Sequence, residues 1–290
     1  MSGADDMRWT PGANSSNIED RRGARGGMRM GMAPMGIGGT VVLLVLSLIF
    51  GRDFVSGTSG TDVVQPQSAS GDIGPVQQSP EEAKEVQFVT FVLDTAQATW
   101  AKLLPQTYGV PWHDAKLVLF RDETPTGCGE GQTAMGPFYC PVDQKIYIDL
   151  AFYDELRTRF GAPGDFAQAY VITHELGHHV QHLLGTDEKV RREQQANPSE
   201  ANALSVKLEL QADCYSGVWA HATQQENILE PGDIDEGLNA AAAVGDDRIQ
   251  QAETGQINTD SFTHGSAEQR SSWFKRGYQS GDPRSCNTGL

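Results

Sequence analysis

Positive charge is what this sequence has least of. Its 290 residues hold 22 Lys and Arg against 38 Asp and Glu, a formal net charge of −16. A surface that acidic repels phosphate backbones, so nucleic acid is not expected as a partner. Cysteine is scarce as well: Cys128, Cys140, Cys214 and Cys286 are the whole complement. No two of them stand at the C-x₂₋₄-C spacing of a zinc knuckle, which argues against cysteine ligation of a metal. An even count fits two disulfides in an oxidising compartment, with free buried thiols as the alternative. Of the three pairings, Cys128–Cys140 with Cys214–Cys286 is favoured, because the first pair brackets one compact loop. Internal repeats are absent.

Long apolar runs are missing too, with one exception. Residues 32–51, MAPMGIGGTVVLLVLSLIFG, carry no charge, and about 20 such residues suffice to cross the hydrocarbon layer as a helix. A signal peptide is the competing reading, disfavoured because no small-x-small cleavage site follows and the segment before the run is long. A buried core helix is a third. Arg8, Arg21, Arg22, Arg25 and Arg29 precede the run, and after Arg52 no Lys or Arg occurs before Lys84. The positive-inside rule then predicts a single-pass membrane protein, its N-terminus cytoplasmic and its body extracytoplasmic. Residues 1–31 show no periodicity and read as a disordered cytoplasmic tail. Residues 52–80, rich in Ser, Gly, Pro and Gln, read as a flexible linker.

The folded domain is expected over 81–290. Ser79, Pro80, Glu81 and Glu82 carry the marks of a helix start, and Val86, Val89, Phe91, Val92 and Ala96 continue it with helical period. KLVLF, 116–120, reads as a strand, and PFYC with KIYIDL as a hairpin. Helical patterns follow over 151–160, 164–184, 198–224, 233–251 and 265–279. The expected fold class is α+β, mainly α with a small β-sheet ahead of the central helix.

Four of the seven histidines fall in YVITHELGHHVQHLLG, residues 170–185. Histidine is the commonest protein ligand for metals. Positions four apart on a helix differ by about 40° in direction, so His174 and His178 share a face and can grip one ion. His182 lies about 12 Å from His174 along the helix, too far to join them, and His179 points about 100° away from His178. Both read as polar helix-face residues. Glu175 between the pair completes H-E-x-x-H, two zinc ligands with a general base beside them. The longer pattern with a third histidine fails, because Gln181 and Leu184 stand where Gly and His are needed. A third ligand must come from elsewhere, and LELQADCYSGVWA offers Glu209 and Asp213 one turn apart among apolar neighbours. Glu209 is the candidate third ligand. Asp213 is the candidate acceptor for a ligand imidazole's free N–H, fixing its tautomer.

HELGHH followed by ELQAD resembles the gluzincin type of metallopeptidase. The wider set GCGEGQTAMGPFYCPVDQKIYIDLAFYDEL, HELGHHVQ, ELQADCYSGVWA and FTHGSAEQR resembles the bacterial membrane-anchored family of neutral zinc metallopeptidases, across about 81–290. The resemblance implies a zincin-like peptidase domain behind an N-terminal transmembrane helix. It also implies Zn2+ as cofactor and a protein or peptide as substrate.

Hydrolysis would then proceed by a metal-activated water, with Glu175 as general base. Zinc peptidases often recruit a distant His or Tyr for the oxyanion, and His264 in FTHGSAEQR is the candidate; a structural histidine at a helix start is the alternative. KIYIDL is a candidate to pair with an extended substrate backbone. A catalytically silent zinc-binding scaffold at the membrane is the competing functional reading. Glu175 separates the two, because a scaffold needs no base between its ligands.

Overall fold

A computed structural model describes residues 7–11, 15–24 and 76–290. It is mainly helical with a small sheet, the α+β class expected. Helix α1 (Pro80–Tyr108) begins where the sequence signals it. Ser79 Oγ accepts the Glu82 N–H at 3.1 Å, Pro80 opens the first turn, and Glu81 and Glu82 sit at the positive end of the helix dipole. Its buried stripe runs from Phe88 through Val92, Ala96 and Trp100 to Leu104.

One sheet has four strands, in the order β1 (Ile18–Asp20), β2 (Lys116–Phe120), β6 (Lys145–Asp149) and β5 (Phe138–Cys140). β2 and β6 run parallel, and β5 pairs antiparallel with β6 as the expected hairpin. The suggestion that KIYIDL takes a substrate strand fails. Both edges of β6 are already paired, so its backbone groups are spent. A second hairpin, β3 (Glu123–Thr126) with β4 (Gly129–Gln132), was not foreseen, since Gly and Pro break any alternation there. Both predicted disulfides form, Cys128–Cys140 and Cys214–Cys286.

The helices that follow are α2 (Ala151–Thr158), α3 (Asp165–Leu183), α4 (Thr186–Ala196), α5 (Ala201–Gln225), α6 (Asp233–Ala243), α7 (Asp246–Thr254) and α8 (Ala267–Ser280). α4 is highly charged and buries only Val190, which is why its sequence carries no apolar stripe to read. The single helix expected over 233–251 is two, broken at Val244 and Gly245. A Cβ on Gly245 would stand 2.3 Å from the Ala267 nitrogen, so the break lets the two chains pass. α5 and α8 pack backbone to backbone. A Cβ on Gly217 would lie 2.0 Å from the Phe274 carbonyl oxygen, and one on Gly277 1.9 Å from that of Cys214.

The disordered tail expected over 1–31 is corrected by its described part. β1 pairs in parallel with β2, Ile18 opposite Leu117 and Asp20 opposite Leu119. Met7 is buried in the main core. Three strand residues are too few to show a period, so no local signal marked them. The expected crossing helix at 32–51 and most of the linker lie outside the described residues. Among the described residues no helix is long and apolar enough to cross a membrane.

Candidate metal centre

α3 carries His174, Glu175 and His178, and α5 carries Glu209 and Asp213. The two helices can approach closely because Gly177 faces Ala212. A Cβ at Gly177 would stand 3.1 Å from the Ala212 Cα. That contact sets the pairs of one-turn-apart side chains opposite each other. One nitrogen each from His174 and His178 and one oxygen of Glu209 lie within 4.8 Å of one another. His174 Nε2 is 3.1 Å from Glu209 Oε2, and His178 Nε2 is 3.5 Å from Glu209 Oε1.

Each imidazole is held from behind. His174 Nδ1–H donates to Asp213 Oδ1 at 2.8 Å, and His178 Nδ1–H donates to Gln181 Oε1 at 2.8 Å. Both Nε2 lone pairs therefore turn toward the Glu209 carboxylate. Two imidazole nitrogens, one carboxylate and fixed tautomers are the donor set of a catalytic zinc site, so these residues fit that ion. Asp213 has no solvent exposure. Burial disfavours its charge, but Arg270 and His174 outweigh this and hold it below the usual carboxylate range. Glu209 is likewise opposed by burial and pulled well below its ordinary value by His178 and His174. Burial lowers the proton affinity of His174, yet the Asp213 and Glu209 carboxylates raise its pKa to about 10, and an ion at Nε2 would bind in place of that proton. Burial pushes the Glu175 carboxyl up, against the pull of His178 and His174.

Three supporting residues escaped the sequence. Gln181, the residue that breaks the longer zinc pattern, orients His178. Its amide also donates to the Leu208 carbonyl at 2.7 Å and to Gln211 Oε1 at 3.1 Å, tying α3 to α5. Its i, i+3 spacing from His178 was the available signal. Arg270, in α8, is buried and donates Nε to Asp213 Oδ2 at 2.9 Å and Nη2 to Oδ1 at 3.0 Å. Tyr170 O–H completes the grip on Asp213 at 2.5 Å.

The other histidines separate as helix geometry suggests, though not as exposed residues. His179 is fully buried; its Nε2–H donates to the His113 carbonyl at 2.7 Å and its Nδ1 accepts from Tyr139 O–H at 2.9 Å. Burial drops its pKa to about 4, so it is neutral. His182 pairs with Asp187 at 2.8 Å. His264 lies just before α8 and contributes least among the groups that help lower Glu209. Asp246 positions it. One carboxylate oxygen accepts the backbone N–H groups of Thr263, His264 and Gly265 at 2.8, 2.7 and 3.0 Å, and the other lies 3.2 Å from His264 Nδ1.

Residues 7–289 match the sequence profile of a family described as "Putative neutral zinc metallopeptidase". The chain is 49% identical over 289 residues to "Uncharacterized protein YpfJ" of Escherichia coli (strain K12), covering 97% of this chain and 98% of that one. It is 48% identical over 206 residues to "Uncharacterized protein Mb2605" of Mycobacterium bovis, 67% of each chain. No solved structure matches it.

Proposed function

Because the chain belongs to the neutral zinc metallopeptidase family, we propose that it is a zinc-dependent metalloendopeptidase of the gluzincin type with a zincin-like domain. The observation that carries this is the convergence of His174, His178 and Glu209 with Glu175 on the same helix turn. His174 Nε2, His178 Nε2 and the Glu209 carboxylate would hold Zn2+. When bound, the ion supplies a water of near-neutral pKa and polarises the scissile carbonyl.

Glu175 takes a proton from the attacking water at its carboxylate and passes it to the leaving amine. The burial that raises its carboxyl brings it toward the range where it both accepts and returns a proton. Asp213 keeps the His174 ring oriented, and Gln181 does the same for His178. His264, held by Asp246, would supply an N–H to the developing oxyanion.

The test uses the purified full chain. Zinc content is measured, then digestion of casein and of a peptide library, with Glu175→Gln alongside. Bound zinc in both proteins, with cleavage by wild type alone, is the expected result. Zinc without cleavage by wild type would leave the scaffold reading, and native protein without zinc would defeat both.

A further inference from the structure

We propose that residues 7–24 lie on the same side of any membrane as the metal centre, in place of a cytoplasmic N-terminus opposite an extracytoplasmic body. The N-terminal segment is stitched to the body at successive points. The Met7 N–H donates to Asp165 Oδ2 at 2.9 Å, at the first residue of the helix that carries His174. The Arg8 N–H donates to the Ile228 carbonyl at 2.7 Å. Trp9 packs edge-on to Phe88 of α1, ring centroids 5.4 Å apart. β1 then pairs in register with β2.

The decisive contact is at the far end. Arg22 Nη2 donates to Gln78 Oε1 at 2.9 Å, and its Nη1 lies 2.9 Å from Glu82 Oε1. The Arg22 side chain is 2% exposed, so this is a built contact and not a surface encounter. Arg22 and Gln78 therefore meet at one place on the body. A single crossing would hold the two flanks of the apolar run about 30 Å apart, on opposite faces of the hydrocarbon layer. With Arg22 against Gln78, these two residues stand on one side of any membrane.

Three of the five arginines that suggested a cytoplasmic N-terminus have other work; Arg25 and Arg29 lie outside the described residues. Arg8 pairs with Glu230, Arg21 with Glu19, and Arg22 with Asp20 and Glu82. They are fold ion pairs, not free topogenic charges. The two disulfides place the body in an oxidising compartment, and β1 takes these arginines there with it. The family profile begins at residue 7, so the segment is part of what the family shares.

The full chain is expressed in a bacterial host, and the fraction holding it is treated with a membrane-permeant carbodiimide. Lys145 Nζ is 2.7 Å from Glu19 Oε2, suited to a zero-length cross-link, and Lys189 with Glu193 at 4.0 Å is the control within the body. Recovery of both linked peptides by mass spectrometry is expected. The control link without the Glu19–Lys145 link overturns the proposal. Independently, Thr10→Cys and Val142→Cys, both at exposed positions, are labelled with an impermeant maleimide before and after lysis. Equal accessibility ratios for the two sites are expected; labelling of one before lysis and of the other only after it overturns the proposal.

Discussion

His174 Nδ1 stands 2.8 Å from Asp213 Oδ1, and the same ring's Nε2 stands 3.1 Å from Glu209 Oε2. One imidazole thus links a carboxylate that orients it to a carboxylate that would share a metal with it. Asp213→Asn keeps the shape but removes the charge that fixes the tautomer. Zinc affinity, read by chelator competition, is expected to fall about 10- to 100-fold. Arg270 would also lose its nearer counter-charge and keep only Glu209 at 3.9 Å, at a cost of up to about 3–5 kcal/mol read by thermal denaturation. Unchanged zinc affinity would remove Asp213 from its assigned role.

His264 is expected to act on kcat more than on KM. Donation to an oxyanion is made only in the transition state, so its loss leaves substrate binding largely intact. His264→Gln should lower kcat about 10²- to 10³-fold with zinc retained. Asp246→Asn should lower kcat less, since the loop at Thr263–Gly265 keeps most of its backbone hydrogen bonds. A pure rise in KM for His264→Gln would assign the ring to substrate binding.

What the sequence displayed was whatever repeats along one element. The Ser79 cap, the His174 and His178 pair, and the Glu209 and Asp213 pair are one-turn spacings, and each sits on a helix near its expected bounds. What it hid were partners far apart along the chain. Arg270 is 57 residues from Asp213, and nothing within AEQR announces a buried guanidinium. His179 read as a polar helix-face residue because its neighbours Trp112, His113 and Tyr139 lie far from it along the chain. The N-terminal segment misled for the same reason: its order comes from β2 and α1, which its own composition does not reflect.

Gly277 and Gly109 test packing against backbone preference. Gly109 adopts φ +71° with open space around it, so Gly109→Ala should cost about 1–2 kcal/mol for the left-handed conformation. At Gly277 a Cβ would meet the Cys214 carbonyl oxygen at 1.9 Å, and backbone cannot step aside as a flexible side chain can. Gly277→Ala should therefore cost about 3 kcal/mol or more. It should also weaken zinc binding, because separating α8 from α5 draws Arg270 off Asp213. Equal melting temperatures for the two variants would contradict the close approach of these helices.

Glu85 gives the fold a pH dependence separate from the metal centre. Burial, with Asp154 and Glu82 nearby, raises its carboxyl from the ordinary 4.5 to about 7. A carboxyl raised by folding binds its proton more tightly in the native state than in the unfolded one. Its effect is nil below the unfolded value, grows destabilising as pH rises from 4.5 to about 7, and is constant above that. Glu85→Gln cannot ionise and escapes the loss. The variant should melt with wild type near about pH 4.5 and above it near about pH 8, by about 1 kcal/mol once screening of this half-buried site is allowed for. A gap that widened toward acid would reverse the sign and place the destabilising charge elsewhere.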